Sequence, residues 1–135
     1  MAKFVVDPSA VLGIAEEGIE VSRDHELLAP TLIRSQVLST LHESVARGEM
    51  SADVARERLA RVRKMRIRLL GDAVLQRRAW EAADQLGWSD TYTAEYVALT
   101  QLHGDALVTS DAELARSLDG IVRVAGIDDL RSPLP

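Results

Sequence analysis

The stretch that decides the fold is residues 4–12, FVVDPSAVL, close to the beginning of the chain. Three apolar residues precede Asp7, and the proline and serine that follow it are typical of the first turn of a helix. The stretch therefore predicts a short buried strand, an acidic residue at its carboxyl end and a helix directly after it. A second apolar run ends in an aspartate at residues 106–111, ALVTSD.

The rest of the chain alternates short apolar runs with longer amphipathic stretches, which predicts an α/β fold with a parallel sheet. We expect a single domain over residues 1–135, with a loose tail at residues 131–135. The predicted strands are residues 4–6, 27–29, 67–70, 106–109 and 121–124, and the predicted helices begin near Asp7, Pro30, Ser51, Asp72 and Thr91.

The composition excludes several classes of protein. No cysteine is present, which excludes disulfide scaffolds and cysteine-zinc sites and fits a reducing cytoplasm. The first residues, MAKFVVD, reach a charge after three apolar residues, so no signal peptide is predicted. No apolar run approaches the roughly 18 residues of a membrane span. We therefore expect a cytoplasmic protein that does not associate with membranes.

Two aspartates follow predicted strands, Asp7 after the first and Asp111 after the fourth. Ligands of parallel α/β sheets bind at the carboxyl ends of strands, near the point where the strand order reverses. Each aspartate also stands where a helix N-cap would stand, so capping is an open alternative for both. Converging carboxylates suit a hard divalent cation such as Mg²⁺, which can activate water and neutralise charge on a phosphodiester.

Four stretches resemble, in their order and spacing, the motifs of PIN-domain proteins, and most closely those of the VapC-type ribonuclease toxins. The resemblance runs from residue 3 to about residue 124. It implies a three-layer α/β/α sandwich with a five-stranded parallel sheet, and a Mg²⁺- or Mn²⁺-dependent endoribonuclease that leaves a 3′-hydroxyl and a 5′-phosphate. It also implies an RNA substrate, a small VapB-like antitoxin as partner and a homodimer. The four stretches are Val5-Val6-Asp7, Ala29-Pro30, residues 94–99 and residues 107–111.

The family's acidic site has four positions, and only two of them are acidic here. The first aspartate matches Asp7, and the last matches Asp111, with Thr109 two residues earlier also matching. The second position, normally a glutamate, holds Gln36, and the third, normally an aspartate, holds Thr93. The resemblance therefore implies weakened cation binding and no obvious general base at the two altered positions.

A nearby carboxylate could compensate for this loss. Asp90 lies three residues before Thr93, and the two share a face if the helix begins by Asp90. On that basis we predict Asp90 as a third catalytic and metal-binding residue beside Asp7 and Asp111. The sequence Ser89-Asp90 before a helix is equally typical of an N-cap.

Two glutamates are weaker candidates for the same site. Glu95 lies about 200° around the helix from Thr93, and Glu43 lies about 10 Å along the helix axis from Gln36. We predict at most an outer role for them, such as binding a water near the ion. Gln36 is predicted to face the pocket, where a buried amide needs a hydrogen-bond partner such as a carboxylate or a water.

The net charge is −5, yet basic residues are concentrated in the middle third of the chain. Arg61, Lys64 and Arg68 are predicted to track an RNA backbone, since such contacts dominate affinity for nucleic acids. The alternative is a solvated helix face, which Asp53 and Glu57 in the same stretch favour.

Aromatic side chains could stack on RNA bases. Trp88 and Tyr92 lie near the predicted mouth of the pocket and are the candidates for stacking, whereas Trp80 and Tyr96 are expected in core or dimer packing.

Three functions remain to be compared. The first is a metal-dependent ribonuclease with an altered acidic site, and the second is a catalytically weak PIN-like domain that acts by binding protein or RNA. The third is an unrelated flavodoxin-like or receiver-like domain. A receiver would need paired acidic residues after its first strand and a lysine after its last, and the sequence has neither.

Overall fold

A computed structural model describes residues 2–131 and contains one sheet of five strands. The strands are β1 (Ala2–Val6), β2 (His25–Pro30), β3 (Ile67–Leu70), β4 (Ala106–Val108) and β5 (Val124–Ala125). All four pairings are parallel and the order is β3-β2-β1-β4-β5, which confirms the predicted parallel α/β sheet. Of the predicted loose tail, residues 132–135 lie outside the described residues.

Helices cover both faces of this sheet. The first three helices contact one another, the fourth packs along the fifth, and the fifth lies against β1, β2 and β4. These contacts separate the first three helices from the fourth and fifth, as expected for the two outer layers of the predicted sandwich. The helices are α1 (Pro8–Glu17), α2 (Ile33–Ala46), α3 (Ala52–Lys64), α4 (Ala73–Leu86), α5 (Tyr92–His103) and α6 (Ala112–Ser117), followed by a 3₁₀ turn (Ile127–Leu130).

The core is centred on β1 and β4. Val5, Val6, Leu107 and Val108 are fully buried, because strands covered by helices on both faces need continuous apolar side chains. This packing holds the carboxyl ends of β1 and β4 side by side, where the backbone N–H of Asp7 donates to the carbonyl of Val108 at 3.3 Å.

Two predicted boundaries are wrong. Pro30 ends β2 and does not begin a helix, since its fixed φ is compatible with extended backbone as well as with a first helical turn. The fifth strand is displaced, because the N–H groups of Ile121 and Val122 donate to the carbonyl of Leu118 in the turn after α6. Only residues 124–125 pair with β4. The sequence analysis also missed α6 and the 3₁₀ turn.

Within residues 2–131, none of the helices combines the length and the apolar character needed to cross a membrane.

Candidate acidic site at the carboxyl edge of the sheet

The strand order reverses between β1 and β4. The chain leaves β1 toward β2 on one side, and β4 pairs with β1 on the other. Asp7 follows β1 directly, and Asp111 follows β4 after two residues. Both aspartates therefore stand at the crevice where parallel α/β sheets bind ligands.

Asp7 is almost completely buried, with 6% of its surface exposed. Its Oδ1 accepts hydrogen bonds from Ser9 Oγ at 2.7 Å and from the backbone N of Ala10 at 2.9 Å, so it caps α1. Burial raises the pKa of Asp7, bonds from Thr109, Ser9 and Ala10 partly oppose the shift, and the charge of Asp111 adds to it. The two aspartates are thus close enough to repel each other.

Asp111 is exposed and caps α6, because its Oδ1 accepts from the backbone N of Glu113 at 3.0 Å and of Leu114 at 3.1 Å. Its own N–H donates to Thr109 Oγ1 at 3.1 Å. The capping alternative is therefore confirmed for both aspartates. In each carboxylate the capping bonds use Oδ1, so capping is compatible with ligation of a cation by the same side chain.

Ser9 is a member of the site that the sequence analysis treated only as part of a helix start. Its hydroxyl donates to Asp7, accepts from the backbone N of Ser110 at 2.9 Å, and lies 3.3 Å from Thr109 Oγ1. One hydroxyl thus joins the start of α1 to the loop after β4. A serine two residues after the capping aspartate is the only sequence signal for this role.

Gln36 receives its hydrogen bond from Tyr96, whose hydroxyl donates to Oε1 at 2.6 Å. The sequence suggested a carboxylate or a water instead. Tyr96 is buried in the core, as predicted, with 2% of its surface exposed. Burial raises the pKa of Tyr96, and the charges of Asp7 and Glu95 raise it further. The hydroxyl therefore keeps its proton, and Tyr96 is within reach of the charge of Asp7.

The helical face that was predicted to bring Asp90 beside Thr93 does not form. Helix α5 begins only at Tyr92, so Asp90 precedes the helix and does not share a helical face with Thr93. The side chain of Asp90 is exposed, and its Oδ1 accepts from the backbone N of Tyr92 at 3.3 Å, but the N-cap of α5 is Thr91, so the predicted N-cap role of Asp90 is also wrong. Thr93 is half-buried in the first turn of α5.

The two glutamates also lie apart from a ligand cluster. Glu43 is exposed, and its carboxylate binds Ser39 at 3.1 Å and Arg47 at 3.6 Å on the outer surface of α2. Glu95 is half-buried, and burial raises its pKa. Across the described range 2–131, no three aspartate, glutamate or histidine side chains form a group that could hold a metal ion.

The donor set still suits a weak divalent cation site. Mg²⁺ is commonly held by one or two carboxylates, with waters and substrate phosphates completing its shell. Asp7 and Asp111 supply two such carboxylates, and a cation near them would offset both the burial of the Asp7 charge, which is the main cause of its raised pKa, and the smaller repulsion from Asp111. Gln36 adds no charge, and its oxygen is already bonded to Tyr96.

The predicted cationic RNA contacts lie at the other edge of the sheet. Arg61, Lys64 and Arg68 line a cleft at the amino ends of β2 and β3, not the crevice beside Asp7. Arg61 also donates to the carbonyl of Ala15 at 2.9 Å.

The division of the aromatic side chains into exposed and buried ones differs from the prediction. Tyr92 is 57% exposed at the start of α5, whereas Trp88 is half-buried and packs against the core. Trp80 is 68% exposed, so the core alternative of its prediction is wrong, and packing in a dimer stays a prediction. Stacking of RNA bases on Tyr92 or Trp88 stays a prediction.

No family model and no curated protein sequence matches the chain. It is similar to the crystal structure of PAE2754 from Pyrobaculum aerophilum, with 22% identity, a TM-score of 0.71 and coverage of 96% of this chain and 92% of that one. It is also similar to VapBC2 from Rickettsia felis bound to a DNA fragment from their promoter, with 8% identity, a TM-score of 0.65 and coverage of 92% and 98%. VapBC-1 from nontypeable Haemophilus influenzae gives 9% identity, a TM-score of 0.60 and coverage of 93% and 98%. The chain therefore has the PIN-type fold that these VapBC structures share.

Proposed function

We propose that this chain is a VapC-like toxin of a toxin–antitoxin pair, and that it is an endoribonuclease that cleaves RNA phosphodiester bonds. The meeting of Asp7 and Asp111 at the switch point of a PIN-type sheet carries this proposal. The similarity to VapBC structures supports the same conclusion through the fold.

Asp7 and Asp111 would hold a divalent cation, Mg²⁺ or Mn²⁺. When bound, the cation would supply activation of water and neutralisation of charge on the RNA phosphate. The chain itself holds the two carboxylates in place, since Ser9 and the N-termini of α1 and α6 fix their Oδ1 atoms. Such fixed orientation is what a functional site requires of its ligands.

Gln36 has a different task from the glutamate that the family carries at this position. Tyr96 donates to the amide oxygen of Gln36, and the Nε2 group is the donor end of the same amide. This group donates hydrogen bonds and suits a phosphate oxygen or a water. We infer that Gln36 helps to orient the RNA and does not bind the cation.

The remaining attributes follow from the same proposal. We propose a small VapB-like antitoxin as partner, because two of the similar structures are VapBC proteins. We also propose that the chain forms a homodimer and is located in the cytoplasm.

A second function, a catalytically weak PIN-like domain that acts by binding protein or RNA, is favoured by one specific observation. Two of the family's four acidic positions hold Gln36 and Thr93, and the oxygen of Gln36 is bonded to Tyr96. Two carboxylates alone bind Mg²⁺ weakly, which would limit cleavage.

Calorimetric titration with Mg²⁺ and Mn²⁺, followed by RNA cleavage assays, tests the two functions. Asp7→Asn and Asp111→Asn should each reduce cleavage by on the order of 100-fold, since each removes one of two charged ligands. Asp72→Asn is the matched control, because Asp72 caps α4 with the same bond length as Asp7 caps α1. Undiminished cleavage by both site variants would reject the nuclease mechanism. A wild-type chain that binds neither cation and cuts no RNA would favour the second function.

A further inference from the structure

A cleft of about 1350 Å³ opens at the amino ends of β2 and β3, between the carboxyl ends of α1 and α3. Five cationic and two acidic side chains line it, which gives a formal charge of +3 in a chain whose net charge is −5. The cationic residues are Arg23, Arg61, Lys64, Arg66 and Arg68, and the acidic ones are Glu20 and Glu26.

All five cationic side chains of this basic cleft are exposed, and Arg61 is already bound to Glu57 at 2.6 Å and to the carbonyl of Ala15 at 2.9 Å. Arg68 lies 3.7 Å from Glu26, and an exposed pair at that distance contributes little to stability and can exchange partners. In the described part of the chain, Arg23, Lys64 and Arg66 form no ion pair with an acidic residue. At least three positive charges are therefore uncompensated in one cleft.

The basic cleft and the acidic site lie at opposite edges of the sheet. In β1, Ala2 pairs with His25 at the edge of the cleft, and Val6 pairs with Val108 at the edge of the acidic site. Four steps along a strand cover about 13 Å. A ligand in the cleft would thus leave the crevice at Asp7 and Asp111 free.

We propose that the basic cleft binds the phosphate backbone of single-stranded RNA, at a second contact remote from the point of cleavage. The choice of RNA rests on the proposed function. Backbone binding is carried by lysine and arginine side chains that replace counterions, and it needs no base recognition.

The lining of the cleft favours RNA over an acidic protein segment. Among its large apolar members, Ile14, Ile19 and Leu27 are buried and Val21, Met65 and Ile67 are half-buried, so none of them is a fully exposed anchor for a partner. Protein interfaces rely on large apolar or aromatic anchors, and the exposed large hydrophobic residues of the described chain lie outside the cleft. These exposed residues are Leu38, Val54, Val74, Trp80 and Tyr92.

The charge of the cleft sets the expected salt dependence. A net charge of +3 should neutralise about three phosphates, which for single strands gives a slope of about −2 in a plot of log affinity against log salt. Affinity should therefore fall about 20-fold between 50 and 200 mM salt.

Fluorescence anisotropy with a labelled 12-nucleotide single-stranded RNA in EDTA tests the proposal without cleavage. Lys64→Gln combined with Arg66→Gln should make the salt slope shallower by about 1.4 and weaken binding roughly tenfold at 50 mM salt. The matched control removes the same charge outside the cleft, with Arg56→Gln and Arg77→Gln, and should keep nearly the wild-type slope. Arg23→Gln, in a separate segment, should make the salt slope shallower by about 0.7. This second variant keeps the proposal testable if the Lys64/Arg66 variant fails to fold.

Two results would overturn the proposal: a wild-type slope in the Lys64/Arg66 variant, or binding of a poly-glutamate peptide as tight as that of the RNA at equal salt. The two proposals fail separately. Loss of cleavage in Asp7→Asn with unchanged RNA binding concerns only the nuclease site. If cleavage is normal and the cleft substitutions leave RNA binding unchanged, only the proposal of a second RNA contact is contradicted.

Discussion

The hydroxyl of Tyr96 donates a 2.6 Å hydrogen bond to Oε1 of Gln36, sixty residues earlier in the chain, and so joins α5 to α2. Because burial and the charge of Asp7 raise the pKa of Tyr96 well above its usual range, the hydroxyl remains a donor at neutral and moderately alkaline pH. The bond therefore holds the amide oxygen of Gln36 against Tyr96.

Tyr96→Phe should lower the free energy of unfolding by about 1–2 kcal/mol, because it leaves the amide oxygen of Gln36 without its donor. Urea denaturation measures the change. Tyr92→Phe is the control, since Tyr92 is 57% exposed and its loss of a hydroxyl should cost less than about 0.5 kcal/mol. Equal changes in the free energy of unfolding for the two substitutions would show that the bond to Gln36 does not contribute to stability.

Gln36→Glu combined with Thr93→Asp should raise the affinity for Mn²⁺ by about tenfold or more, because the number of charged ligands tunes cation affinity. RNA cleavage should rise with it. Calorimetric titration and a cleavage assay measure both effects. Gln85→Glu with Thr40→Asp adds the same two charges at exposed positions and should change neither. An unchanged affinity in the site variant would argue that these two positions are not remnants of a cation site.

Asp7→Asn should stabilise the metal-free protein at neutral pH although it reduces cleavage. The folded state raises the pKa of Asp7 above its ordinary value of 3.8, so the native protein binds more protons than the unfolded chain between those two pKa values. The stability that Asp7 contributes is thus fully present below pH 3.8 and is lost as the pH rises through the raised pKa. Asparagine remains uncharged and still caps the helix.

The expected gain in the free energy of unfolding of Asp7→Asn is about 0.5–2 kcal/mol at pH 7, the usual range for relief of an unfavourable charge. It should shrink toward zero below pH 3.8. Thermal unfolding in EDTA across this pH range measures it. Asp72→Asn, which replaces the carboxylate of an exposed helix cap, is the matched control. A gain at neutral pH that persists unchanged in acid would contradict the role assigned to the Asp7 charge.

The fold was predictable where burial dictates composition. Residues 4–6 and 106–108 are uninterrupted apolar runs because both faces of β1 and β4 are covered. The start of α2 was not predictable, since Pro30 suits an extended residue as well as a first helical turn. The fifth strand was misplaced because Ile121 and Val122 are apolar but satisfy their N–H groups in a turn.

The acidic site was predictable only in part. Asp7 and Asp111 could be found because both follow apolar runs that end at the same edge of a parallel sheet. The bond between Tyr96 and Gln36 depends on how α2 and α5 sit across the sheet, which no local pattern encodes. The same holds for Ser9, whose bonds reach a loop a hundred residues away.

Gly104→Ala should destabilise the fold by about 1–3 kcal/mol, the usual cost of overpacking a core. Gly104 ends α5 where the chain turns into β4, and a Cβ there would lie 2.9 Å from Val5 Cγ2 and 3.2 Å from the Cα of Thr100. Val5 is fully buried in β1 and has little room to move. Gly126→Ala is the matched control, because a Cβ at Gly126 meets no atom within 4 Å and its φ is −100°. Urea denaturation should therefore separate the two variants, and a control that loses as much stability as Gly104→Ala would show that loss of glycine, not contact with Val5, causes the effect.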